Sequence, residues 1–272
     1  GATPSWMRCG AKSADPSAAA AMFALLLAGT LTALLAYEGA LSPLLTLGKE
    51  QYLYLALGGL LSALTWLCLF TALTGGYVSK VIPVYALWYV LSLIASHFLF
   101  GTAMGLWKIC CIVGILLGLV FIESDMKNIG GRLGFGYALI AALAAAGTEL
   151  IRRGMPGPAI DDTLFHAGRS IAACVILWVF AFARGKQRTL GDLNARGWVG
   201  VSFAGLSLAG GYACNYYAAL RGEISYLAPI GILAFLFVML FARIFQKEKQ
   251  TGSVVFGTFL VLLGQFGILM GF

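Results

Sequence analysis

Charge is scarce in this sequence. Only 11% of its 272 residues are Asp, Glu, Lys or Arg, against 60% hydrophobic, and the mean hydropathy is +0.90. A soluble domain of this length would need far more charge to cover its surface, which argues against a soluble enzyme or binding module. Histidine is scarcer still, with His97 and His166 alone. The six cysteines (Cys9, Cys68, Cys110, Cys111, Cys174, Cys214) all fall in apolar segments without metal-ligand spacing. They read as buried thiols, so no metal site and no cofactor is expected. No nucleophile–base set, phosphate-binding glycine loop or carboxylate cluster is visible, so no catalytic residue is expected and the chain reads as no enzyme. The short alternating segments of a β-barrel are missing. The opening GATPSWMRCGAK has no basic region followed by an apolar core, so no cleavable signal peptide is expected. The net charge of +7 is explained by basic loops rather than by nucleic acid.

Apolar runs of about 20 residues are what the sequence has instead, and each can cross a hydrocarbon core of roughly 30 Å as a helix. The spacing predicts segments at 1–11, 16–38, 52–73, 77–99, 103–122, 132–152, 162–184, 197–220, 224–246 and 252–272, with SADPS, ESDMKNIGGR, RGMPGPAIDD and ARGKQRTLGDLNAR as punctuation. The expected fold is an all-α membrane protein of ten transmembrane helices. The first segment is half a bilayer long, and its counterpart AAGTELIRRG is preceded by LGFGYALIAALA, so the first helix is expected to be truncated in this chain.

An internal repeat organises the segments. Shifted by 146 positions, GGYVSKVIPVYALWYVLS meets RGEISYLAPIGILAFLFV: Gly76 falls on Gly222, Ser79 on Ser225 and Pro83 on Pro229. The repeat divides the chain into units 1–125 and 126–272. Each has five segments, and five is odd, so the second unit is expected to be inverted in the membrane relative to the first.

The residues of these stretches resemble the EamA-type repeats of the drug/metabolite transporter superfamily. WLCLFTALTGGYVSKVIPVYALWYVLSLIASHFLFG carries Ala72-Leu73, Gly76, Ser79, Pro83 and Gly101; the second half carries Ala218, Gly222, Ser225, Pro229 and Glu248. The acidic residue of the last hairpin is Glu248 in the second half and is replaced by Thr102 in the first. The resemblance implies ten helices, a central substrate cavity, secondary transport and cytoplasmic termini.

Several residues are candidates for a site. Pro83 and Pro229 remove a helix donor and clash with the carbonyls of Ser79 and Ser225, so these four mark kinks, packed or facing a cavity. Lys80 either snorkels to the interface or meets an anionic substrate group. Tyr85, Trp88, Tyr89 and Ser92 share one helical face, and Trp66 aligns with Tyr212 and Phe70 with Tyr216 under the same shift, with Asn215 alongside. Converging rings would suit an organic cation or a flat aromatic solute; helix packing is the other reading. Glu149 reads as a local ion pair with Arg152 and Arg153, or as a coupling site, and both histidines read as interfacial.

The expected function is transport of a small polar or amphipathic metabolite (an organic cation, amino acid or aromatic solute) across a bacterial inner membrane by alternating access, as monomer or homodimer, with proton or sodium coupling open. A structural subunit of a membrane complex, or an enzyme on lipid-linked substrates, are the alternatives. On the membrane side the signals conflict. Odd-numbered loops and adjacent helix ends hold 12 of the 18 Lys and Arg, and the opposite side holds 6, with Arg169 among them. That count places the termini outside, against the family pattern.

Overall fold

The computed structural model describes residues 3–124, 129–156, 162–220 and 236–270, and all its elements are helical. In chain order they are α1 (Thr3–Ala11), α2 (Pro16–Tyr37), α3 (Ser42–Leu45), α4 (Lys49–Gly75), α5 (Val78–Tyr85), α6 (Trp88–Phe100), α7 (Leu106–Ser124), α8 (Ile129–Gly154), α9 (Asp162–Ala183), a 3₁₀ turn Lys186–Leu190, α10 (Ala195–Leu220), α11 (Leu236–Phe245) and α12 (Gly252–Met270). Among the described residues, six spans are long and apolar enough to cross a membrane: Pro16–Tyr37, Lys49–Gly75, Val78–Phe100, Leu106–Ser124, Arg132–Gly154 and Asp162–Ala183. α10 is 26 residues long, and its glycines, serines and tyrosines lower its hydropathy below theirs. The second kink, Ser225 and Pro229, lies outside the described residues.

Helix starts follow local chemistry. Asp15 caps α2: its carboxylate accepts the Ser17 amide at 3.0 Å, and Pro16 fills the first helical position, where no donor is lost. At α4 the Gln51 side chain accepts the Gly48 amide at 3.0 Å. α6 ends on Gly101 in the left-handed region, φ 65°. One repeat later the same turn is made by Lys247, φ 52°, the one described non-glycine residue with positive φ. The two hairpins therefore use the same backbone device 146 residues apart, one with a side chain that finds it strained.

Small residues bring the helices together. α4 packs between α8 and α9, α2 against α9 and α10, α1 against α10, and α5 and α6 against α8. Ala18, Ala19, Ala20, Ala21, Ala24 and Ala28 of α2 are buried, as are Ala138, Ala141 and Ala142 of α8. Such faces let backbones approach where no hydrophobic effect separates helix from lipid. A Cβ on Gly59 would sit 2.4 Å from the Ala172 Cβ, so α4 and α9 touch there. α7 and α12 form a separate pair, in which a Cβ on Gly118 or Gly257 would come within 2.5 Å or 2.4 Å of the other's carbonyl oxygen. The outward sides of α7 and α12, with Leu106, Val113, Leu117, Val120, Phe256 and Phe259 exposed, suit lipid.

The span Val78–Phe100, the fourth of the expected segments, is broken. The chain runs α5, Ala86-Leu87, α6, one turn after Pro83. The Leu87 amide bonds the Val84 carbonyl at 3.1 Å and the Tyr89 amide that of Ala86 at 3.2 Å, both reaching back three residues instead of four. Gln265 of α12 donates to the Ala86 carbonyl at 3.2 Å and is itself buried. A glutamine from the other half of the chain thus supplies a donor at the break.

Candidate functional site

Two polar assemblies lie inside the bundle. The first closes the start of α5. Glu248, 4% exposed, comes from the hairpin between α11 and α12. Its Oε1 accepts the Val78 amide at 2.8 Å and an Arg8 guanidinium N–H; its Oε2 accepts the Ser79 amide at 3.1 Å and the Ser79 hydroxyl at 2.7 Å. A carboxylate on the first amides of a helix completes them and meets the positive end of the helix dipole. Arg8, reaching from α1, also donates to Gln246 at 2.7 Å and lies over the Tyr77 ring at 5.2 Å. Gln246 in turn donates to the Ser5 carbonyl at 2.8 Å. A single buried cluster thus ties α1, α5 and the last hairpin. Its equivalent in the first half is missing: Thr102 stands where Glu248 would be, and its hydroxyl is buried without a hydrogen-bond partner among the described residues. His97 Nδ1 donates to the Thr102 carbonyl at 2.7 Å, which fixes that hairpin instead.

The second assembly surrounds Arg169, 7% exposed, in the second turn of α9. Its Nε donates to His166 Nδ1 at 2.9 Å, Nη1 to the Ser62 hydroxyl of α4, and Nη2 to the Tyr212 hydroxyl of α10 at 2.9 Å. The guanidinium stands 6.0 Å from the ring centroids of Trp66 and Tyr212. His166 packs on Tyr212 with centroids 4.2 Å apart. The hydroxyl of Tyr85 lies in the field of Tyr212 and Arg169, and that of Tyr89 in the field of Tyr212 and Glu149. Trp88 stacks on Tyr89 at 3.8 Å.

Of the residues singled out in the sequence, Trp66 and Tyr212 therefore flank Arg169, Tyr85 lies within electrostatic reach of it, and Trp88 and Tyr89 stack on each other. Trp66 is also a core residue, edge-on to Phe23 at 5.4 Å and 6% exposed. Ser92 is buried and bonds the Tyr89 carbonyl at 3.0 Å. Tyr216 is buried and edge-on to Tyr217, while Asn215 is exposed. Lys80 belongs with the Glu248 cluster, its Nζ 5.5 Å from the Tyr77 ring. Ser79 and Pro83 are buried at the start and middle of α5. Glu149 accepts from Arg152 at 2.6 and 3.0 Å and from Arg153 at 3.0 Å; Arg152 goes on to Asp162 and Arg153 to Ser96. Its local ion pair is real and ties α8 to α6 and α9. Two residues differ from the sequence reading. Arg169 counted as a loop charge and His166 as interfacial; both sit on the inner face of α9. The signal that could have found Arg169 is its place eight residues into an apolar segment, about 10 Å along the helix.

A recess of about 550 Å³ lies elsewhere, between α1, α10 and α11, lined by Trp6, Phe241, Phe245, Arg196 and Lys247. Phe245 is 65% exposed there, so the recess belongs to the periphery rather than to the aromatic cluster.

The EamA-like transporter family matches residues 1–124 and again 132–270. The chain belongs to the EamA-like transporter family. This EamA-like protein is therefore a multi-pass membrane protein and a membrane transporter of the drug/metabolite transporter superfamily. No curated protein matches the chain. A solved crystal structure shares the fold, with a TM-score of 0.63 at 14% identity, covering 97% of this chain and 94% of the other.

Proposed function

We propose that this EamA-like protein is a secondary transporter that carries a small polar or amphipathic metabolite across a bacterial inner membrane by alternating access. Ten helices, with α5 and α6 as halves of one, would form two inverted repeats, 1–125 and 126–272. The observation that supports this best is the composition of the Arg169 assembly. Ser62, Trp66 and Tyr85 come from the first half, and His166, Arg169 and Tyr212 from the second. Midplane sites at the repeat interface, beside discontinuous helices, are a recurring design of secondary transporters. The break after Pro83 gives the fourth span a place to bend, and the Glu248 cluster closes the bundle at the start of α5. Opening would require that cluster to separate while the opposite end closes.

A structural subunit would need small-residue faces free for assembly; Gly118, Gly257 and Gly264 use theirs within the chain, while Gly114 has nothing within 4 Å of a would-be Cβ. Transport is tested by reconstituting the protein in liposomes, adding a defined mixture of impermeant metabolites, and analysing the lumen by mass spectrometry. At least one solute should enter faster than into protein-free liposomes. Identical contents for every solute would refute the reading.

A further inference from the structure

We infer that the transported solute carries an anionic oxygen group, a carboxylate or a phosphate, and that Arg169 receives it. The inference rests on the transport reading above and narrows its substrate class.

Arg169 differs from the other arginines of the bundle. Arg8 has Glu248, while Arg152 and Arg153 share Glu149, with Asp162 added on Arg152. Arg169 is as buried as Arg8, yet its three hydrogen bonds go to neutral groups, and no carboxylate pairs with it among the described residues. An arginine stays charged even when buried, and a buried charge without a countercharge is costly. Glu149 of α8 is already paired with Arg152 and Arg153.

The hydrogen-bond directions say what is wanting. Ser62 donates its proton to the Gly58 carbonyl at 2.7 Å, so its oxygen is free only to accept from Arg169. Tyr212 accepts from Nη2, which leaves its own O–H to donate. His166 accepts at Nδ1, which puts the ring proton on Nε2 as a further donor. A guanidinium has five N–H groups; with three engaged, one remains on each Nη. The unspent hydrogens around Arg169 are therefore two guanidinium N–H groups, the Tyr212 O–H and the His166 Nε2–H. Two guanidinium N–H groups, a phenol and an imidazole N–H call for an acceptor with several oxygens, and a fork of this kind grips carboxylate or phosphate in two-point fashion. An ammonium would meet the like charge of the guanidinium. The rings of Trp66 and Tyr212 beside the guanidinium suit an aromatic or apolar body next to the anionic group.

The test is binding to the purified full chain in detergent, by calorimetry, of four probes of similar body: 3-phenylpropionate, phenyl phosphate, 3-phenylpropanamide and 3-phenylpropylamine. The acid or the phosphate should bind, and which of them does separates the two sources of the anion. The amide and the amine should bind on the order of a hundredfold more weakly, and Arg169→Gln should lose anion binding by a similar factor. Arg169→Lys keeps the charge without the fork and should lose roughly tenfold, which distinguishes an anion site from a strut between α4, α9 and α10. An amine or amide preference, no binding by either anion, or unchanged anion affinity in folded Arg169→Gln would overturn the inference. Those results would leave the transport reading standing if metabolites still enter liposomes; absence of any flux would remove both.

Discussion

Glu248 shows how one side chain can hold three distant parts of the chain. Four donors converge on it, from Arg8, Val78 and Ser79, within a site that excludes water. Glu248→Gln exchanges one acceptor for a donor and leaves Arg8 buried without its countercharge. Breaking a buried pair in this way costs about 3–5 kcal/mol. Arg8→Met should cost a similar amount, and the double variant less than the sum, since each change already removes the shared interaction. Unfolding by dodecyl sulfate, followed by circular dichroism, measures the cycle; strictly additive losses would separate the two residues. At this scale the sequence is only partly readable. Glu248 stood out by its place in the hairpin, but nothing local joins it to Arg8, 240 positions away. Trp66 aligned with Tyr212 by the repeat, yet alignment could not reveal that Trp66 is wedged between Phe23 and Arg169. Arg169 was hidden by its own charge, because positive residues near segment ends are by default loop residues.

Helices were the most legible feature, because apolar length and turn residues act locally. Each expected segment meets a described helix, but six qualify as spans by length and composition among the described residues, and most of the ninth, 224–235, lies outside the described residues. The kink predicted at Pro83 is a break one turn later, stabilised by Gln265, whose approach depends on the whole bundle. Glycines in helices look alike in sequence and differ in surroundings. Gly257→Ala would press a methyl against the Gly118 carbonyl, forcing α7 and α12 apart, and should cost about 1–3 kcal/mol or more. Gly114 has nothing within 4 Å of its would-be Cβ, so Gly114→Ala should stabilise by about 0.5–1 kcal/mol through helix propensity. Melting temperatures of the two variants should move in opposite directions; equal shifts would contradict the packing. At the start of α2, burial raises the Asp15 carboxyl, but the Ser17 hydrogen bonds and then Lys186 and Arg184 outweigh it and hold it below the usual carboxylate range. Its contribution is therefore present above the unfolded value, about 4, and is lost as pH falls through the lower folded value. Asp15→Ala should cost about 0.5–2 kcal/mol at pH 7, and the difference from the unaltered protein should shrink below about pH 4.

For the whole molecule, the 146-residue shift made the two halves visible, since proline, glycine and serine recur where backbone geometry demands them. Arg8 and Arg169 sit in the interior and say nothing about loops, but they fall on opposite sides of the count of basic residues, and without them it stands at 11 against 5, so the conflict with the family pattern remains. Alternating access around a site between the halves is the claim on which the rest depends, and it can be tested without knowing the solute. Tyr212→Cys, in a background with the six native cysteines replaced, is treated with an impermeant maleimide in right-side-out and in inside-out vesicles. With Glu248 present, labelling should come mainly from the membrane face opposite the Glu248 cluster. Adding Glu248→Gln should raise labelling from the Glu248 face several-fold and lower it from the other. Labelling from one face only, unchanged by Glu248→Gln, would contradict the account.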